Sequence, residues 1–483
     1  MKFKKCSALL LAALMAGALT ACGTSAAQVQ SADQASAGSA QETINAAFAG
    51  SGFGSGEGVS ADALSCETAE NDWFTDRDLD QTPDLTGATA YTVQDGRDIE
   101  ITAAGVYVLT GTAQNVTVVV SAGEEDKVQL VLDGLSLTNE DAPCVYVKSA
   151  DKVFVTTTDS ENSLAVTGAF TADGDTNPDA VIFSRDDLVL NGTGTLTVAS
   201  TENGVSSKDD LKVTGGTLVI DCAADALEAN DAIAVADGTV TITTEKDGLH
   251  AENDEDDAQG AVYIAGGTLT VTAGSDAIQG TSSVQIDGGT LALTAGEGVE
   301  GTYVQINGGT IRISASDDGI NAARKSASVS PAVEINGGEI TIVMGGGDTD
   351  AIDSNGDLTI TGGTVDITAN SPFDCDGTAS RTGGTLIVNG TETEEITSQF
   401  GGGMMGGGFR NGQRPGWSGG DAGTAPELPE EWGRRPEARQ SDDGWDNWED
   451  WDGGGWEDFG GSWGYGAYGG AGTASAVTAY GEA

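Results

Sequence analysis

Acidic residues recur in this chain at a spacing that suits cation binding. Eight residues after each of five repeat threonines stands an acid or an amide: Asn203, Asp225, Asp247, Asp276 and Asp318. Glu297 comes one residue early, and Asp350 and Asp374 come two or three late. A small residue, an apolar residue and a polar residue usually follow, as in Asp225-Ala226-Leu227-Glu228, Asp247-Gly248-Leu249-His250 and Asp350-Ala351-Ile352-Asp353. If the repeats stack in register, these carboxylates line one corner about 4.8 Å apart. At that distance like charges repel by about 1 kcal/mol in water and by several at a lower effective dielectric. Bridging cations relieve such a row, and Ca²⁺ fits because it gathers six to eight oxygens from carboxylates, amides and carbonyls. The expected ligands are Asp225, Asp247, Asp276, Asp318 and Asp350, with Glu228, Asp231 and Asp353 adding to them. The competing role for the same acids is to accept backbone N–H groups at turns.

Other chemistry is poorly supplied. A lyase needs a cationic base beside a Ca²⁺-bound uronate. The candidates Lys208, Lys212, Lys246, Arg312, Arg324, Lys325 and Arg381 are scattered in the sequence, with no evident cluster. A hydrolase needs closely spaced acids, and one built like a polygalacturonase also needs a histidine nearby. Asp186-Asp187, Asp209-Asp210 and Asp317-Asp318 supply the acids, but His250 is the single histidine. The expectation is therefore a binder rather than an enzyme. A polysaccharide lyase or hydrolase, or an adhesive or structural surface protein, are the alternatives. No CxxC pair exists among the six cysteines, so a zinc site is not expected. Cys66, Cys144, Cys222 and Cys375 read as buried thiols.

These side chains must be placed by a repeat. From about residue 188 to 388, a period near 22 residues carries the core apolar-x-apolar-x-Gly-Gly-Thr-apolar-x-apolar. Leu211 to Ile220 is one copy and Val284 to Leu293 another. Alternation on both sides of the glycines means short strands with one face inward. Several short strands per 22 residues make one rung of a solenoid whose rungs must stack. The fold class expected is all-β: a right-handed parallel β-helix spanning 80–398. Its core should include Leu218, Ile220, Leu269, Val271, Ile311 and Ile313. One outward column reads Lys212, Ala234, Tyr263, Gln285, Gln305, Glu334 and Thr359, in which Tyr263 is the one aromatic able to stack on a sugar.

The ends carry other signals. Lys2, Lys4 and Lys5 precede an apolar run, and Leu19-Thr20-Ala21-Cys22 resembles a bacterial lipobox. That resemblance implies a lipoprotein signal over 1–21, lipidation of Cys22, and attachment to the membrane through that lipid alone. Localisation would be the extracellular face of the bacterial cell membrane. Residues 22–79 read as a flexible tether and the start of a cap, and 399–483 as a disordered tail rich in Gly, Trp and acids. The chain holds 75 acids against 21 Lys and Arg, a net charge of −54. Such a surface repels nucleic acid and anionic membranes. A monomer is expected.

The segments Gly105 to Gly111, Val128 to Gly134, Ala180 to Leu188 and Ser207 to Leu211, followed by the Gly-Gly-Thr rungs, resemble a known family. It comprises bacterial extracellular carbohydrate-binding β-helix proteins, first described from a cellulolytic clostridium. The resemblance implies a fold similar to that of pectate lyases, calcium binding, and plant polysaccharides such as cellulose or pectic acid as partners. It carries no sugar-contacting residues over to this chain.

Overall fold

The structure is a computed structural model that describes residues 73–346 and 349–397. The signal and lipobox with Cys22, Cys66, most of the tether and the whole Trp-rich tail lie outside the described residues. Within them are thirty-four strands and no helix. Among the described residues no helix is long and apolar enough to cross a membrane.

Through the repeats, three strands form one rung, and each pairs in parallel with its equivalent in the next. Asp187–Gly192 pairs with Asp210–Val213, which pairs with Ala232–Val235. A hairpin ends the described stack, with Thr385–Val388 antiparallel to Thr391–Thr393. Register makes the interior a set of columns. One runs Leu188, Leu211, Ile233, Val262, Val284, Val304, Val333, Leu358. A second runs Leu196, Leu218, Val240, Leu269, Leu291, Ile311, Ile340, Val365. A third runs Val205, Leu227, Leu249, Ile278, Val299, Ile320, Ile352, Phe373. All are buried, as are the six residues expected in the core. This stacked, parallel all-β coil is the solenoid that the 22-residue period predicts.

The Gly-Gly bend has two physical causes, seen at Gly289. Its φ of 93° lies where L side chains are strained, and a Cβ there would sit 3.0 Å from the Gly267 carbonyl oxygen of the rung before. A glycine at this corner therefore lets the chain turn and lets rungs close on each other.

The solenoid has three side faces. One carries threonines that follow the glycine bend, such as Thr239, Thr268 and Thr290 in register. Another carries the acids. The remaining face is covered in part by the chain from Trp73 onward, which runs back across the rungs. Trp73 stacks on Tyr263 with ring centroids 5.1 Å apart, and the Arg77 guanidinium lies 4.5 Å over the Phe154 ring. Asp78, wholly buried, pairs with Lys152 at 3.3 Å. The Asn191 amide donates to the Asp78 and Asp80 carbonyls, and Gln81 caps Gly192 and Thr214. The outward column from Lys212 to Thr359 exists as expected. Its Tyr263, however, is only 6% exposed. The one aromatic of that column is thus covered by the protein's own tryptophan. Among the thiols, Cys144, Cys222 and Cys375 are buried and free. Burial pushes the Cys144 pKa up to about 12.

Candidate functional site

The acidic face is built by short strands including Asn203–Ser207, Leu227–Ala229, Leu249–Ala251, Ile320–Ala322 and Asp350–Ser354. Two rows of polar side chains run along it. The first is Asn203, Asp225, Asp247, Asp276, Glu297, Asp318 and Asp350. The second lies three residues later in each rung: Ser206, Glu228, His250, Gln279, Glu300, Asn321, Asp353 and Asp374. Between them the apolar residue turns inward, so the pleat alone points the second row out. The residue after each first-row acid is small because the rungs nearly touch there. A Cβ on Gly319 would come within 2.5 Å of the Ala351 carbonyl oxygen.

Of the two roles weighed for the acids, the acceptance of backbone N–H groups is present, and it runs between rungs. One oxygen of each of several first-row side chains accepts a backbone N–H of the next rung. Asp225 N–H donates to Asn203 Oδ1 at 2.9 Å, Asp247 N–H to Asp225 Oδ1 at 3.2 Å, and Asp276 N–H to Asp247 Oδ1 at 2.8 Å. Asp350 N–H donates to Asp318 Oδ1 at 3.1 Å. The other oxygen remains for the groove. At Asp225 it meets Lys246 Nζ and His250 Nδ1, each at 3.2 Å.

Two groups bring potential ligand atoms within 4.8 Å of one another: Asp225, Asp247 and His250; and Asp276, Glu297 and Glu300. They differ electrostatically. In the first, burial acts to raise the Asp225 pKa, but the His250 hydrogen bond and the charges of His250 and Lys246 outweigh it and hold the carboxyl below its ordinary value. Burial likewise works against the His250 imidazolium, yet Asp225, Asp247 and Glu252 raise its pKa. This group is already supplied with cations by the chain. In the second, burial and then Asp247, Glu300 and Glu297 push Asp276 far above the usual carboxylate range. Burial and Glu300 push Glu297 up to about 7. Lys325 reaches in from an insertion to Glu300 at 2.5 Å, but one ammonium does not balance three carboxyls. Farther along, burial and neighbouring acids raise Asp318 and Asp353 to about 6.

The expected ligands therefore divide. Asp225 joins Asp247, Asp276 joins Glu297 and Glu300, and Asp318, Asp350 and Asp353 feel one another's charge. Glu228 is drawn away, with its oxygens on Lys208 Nζ at 3.0 Å and the Asn203 amide at 2.9 Å. Asp231 lies past the far end of its strand, accepting from the Asn253 amide at 2.7 Å, and joins neither group. Glu300 was missed as a ligand, although Glu297-x-x-Glu300 repeats the spacing of Asp225-x-x-Glu228. Lys246 and Lys325 were not expected at the acidic row. Their approach depends on loop paths that the repeat does not specify.

The second group suits a hard cation. Its donors are all oxygen, and the adjoining Asn321 gives its amide N–H to Glu297 at 3.0 Å while its buried Oδ1 has no donor. A cation supplies what that oxygen and the three carboxyls lack.

A curated carbohydrate-binding domain-containing protein of Acetivibrio thermocellus is 38% identical over 124 residues. The match covers 25% of this chain and 43% of that protein, so the chain spans less than half the length of its relative. A solved structure described as a polysaccharide lyase-like protein from C. thermocellum, a gadolinium derivative, is 31% identical, with a TM-score of 0.40. That alignment covers 46% of this chain and 93% of the other. The sequence profile of one family matches residues 95–348 and 297–393, well over half of the chain. The chain belongs to the family of carbohydrate-binding domain-containing proteins.

Proposed function

We propose that this solenoid binds extracellular polysaccharide without cleaving it, and that Ca²⁺ held on the acidic face stiffens the stack and bridges it to acidic sugars. The observation that carries the reading is the oxygen-only group Asp276, Glu297 and Glu300, with the undonated Asn321 Oδ1 beside it. Asp276, Glu297, Glu300 and Asn321 would hold the ion, with Asp318, Asp350 and Asp353 as a neighbouring acidic stretch. Bound there, Ca²⁺ would supply positive charge to a row that repels uronates. A long row with one rung about every 4.8 Å suits a polymer better than a small solute.

The reading without catalysis is supported by the scarcity of free basic groups at the row: the nearest ammonium, Lys325, is ion-paired with Glu300 at 2.5 Å. We further read the coil as right-handed, as parallel crossovers generally are, and the chain as a monomer. We read the N-terminus as a lipoprotein signal with Cys22 lipidated, holding the domain on the outer face of the cell membrane. Pull-down on insoluble cellulose and affinity electrophoresis in pectate gels, each in Ca²⁺ and in chelator, test the binding. Retention without released reducing or unsaturated ends is expected. Sugar release would establish a lyase or hydrolase instead.

A further inference from the structure

The acidic face has a basic end. Val147 pairs with Ser184, and Ser184 with Ser207. The residues that follow are Lys148, Arg185 and Lys208. Backbone bonds carry the ladder one step further, from Arg185 N–H to the Val147 oxygen and from Lys208 N–H to the Ser184 oxygen. Three cations thus occupy the same corner of successive rungs, about 4.8 Å apart in backbone. In the next two rungs that corner carries Asn230 and Glu252. A chain with 21 basic residues in 483 places three of them in one column, where like charges repel.

The row rests on a firm floor. Tyr146 and Phe183 are buried and meet edge to face at 5.7 Å. Lys148 Nζ lies 4.8 Å over the Tyr146 ring and Lys208 Nζ lies 5.7 Å from the Phe183 ring centroid, contacts that hold the ammonium groups in place. The outer two cations have acidic partners, Asp173 for Lys148 at 2.7 Å and Glu228 for Lys208 at 3.0 Å. Asp179 also feels Lys208. Arg185 between them is exposed and has no ion pair among the described residues; the charge it acts on is Asp173.

We propose that Lys148, Arg185 and Lys208 form a docking row for the carboxylates of an acidic polysaccharide, contacted directly rather than through a bridging cation. The Arg185 guanidinium makes the central contact, because its planar fork matches a carboxylate with two parallel hydrogen bonds. The proposal rests on the polysaccharide-binding reading and assigns it residues. It also separates two modes of contact on one face, calcium-mediated beside Asp276 and direct at this end.

The test is affinity electrophoresis of the full chain and its Arg185→Glu and Arg185→Lys variants in pectate and in a neutral glucan, with chelator present. Arg185→Glu should weaken pectate binding about tenfold, the loss of roughly one charge-assisted contact. Arg185→Lys should retain most of it, added salt should weaken the wild type, and glucan binding should not move. Equal pectate binding by wild type and Arg185→Glu overturns the row and leaves polysaccharide binding standing. Wild-type retention on glucan but not pectate overturns the row as well. Retention on neither polymer overturns the polysaccharide reading itself. Because Arg185 is exposed, folding of the variants is checked by an unchanged melting temperature.

Discussion

At the scale of single residues, the acidic face is a set of carboxyls whose charges the fold keeps close. Glu297, Asp318 and Asp353 are pushed up to about 7, 6 and 6, chiefly by burial. The sign follows from linkage. A carboxyl raised in the folded state keeps its proton while the unfolded chain has already lost it, so stability falls as pH rises through that window. His250, also raised, contributes stability that is present at low pH and lost as pH rises through its folded value. In chelator, melting temperature should therefore drop between about pH 4.5 and 7.5, and excess Ca²⁺ should flatten the drop; parallel melting curves would speak against cation binding here. Glu297→Gln removes one charge from the group of three. It should stabilise the metal-free protein by about 1 kcal/mol at pH 8 and shrink the Ca²⁺-induced rise, both read by calorimetry. An unaltered Ca²⁺ response in this variant would move the ion elsewhere.

At the scale of elements, the rungs were legible because their physics is local and repetitive. The pattern Leu218-x-Ile220 after Gly-Gly-Thr states which faces turn inward, and both residues are buried. Ile311→Ala, at a fully buried position, should cost about 2–5 kcal/mol by denaturant unfolding. A loss under 1 kcal/mol would mean the column is looser than described. What the repeat does not encode is contact between distant segments. Trp73 meets Tyr263 and Asp78 meets Lys152 across the rungs, and no local period links those residues. Hence the register of the outward column follows from the period, while the covering of Tyr263 by Trp73 does not. The same limit applies to Lys325, which comes from an insertion, and to the basic corner, whose members stand 37 and 23 residues apart in sequence. Acids one rung apart follow from the period; Asp231, at the other end of the strand Leu227–Ala229 from Asp225, shares only sequence proximity with it. Asp78→Asn should destabilise by about 1–3 kcal/mol, because it leaves the buried Lys152 with Asp187 alone, at 3.5 Å, and Asp78→Asn with Lys152→Met should recover most of it. Additive losses in that double variant would remove the pair from the account.

At the scale of the whole molecule, the described solenoid divides its surface by chemistry. One side face is partly closed by the segment beginning at Trp73, one carries neutral threonines, and one carries acids that give way to cations at its N-terminal rungs. With a net charge of −54, long-range attraction draws cations first, and a uronate polymer must meet either bound Ca²⁺ or the row at Arg185. Neutral glucans escape the repulsion, yet Tyr263 is occupied by Trp73, so flat aromatic stacking is not what would hold them there. The most direct measurement is a glycan array probed with the full chain, once in Ca²⁺ and once in chelator. The account predicts binding to polysaccharides, strengthened by Ca²⁺ on uronates and accompanied by no sugar release. Absence of binding to every glycan in both conditions would contradict it.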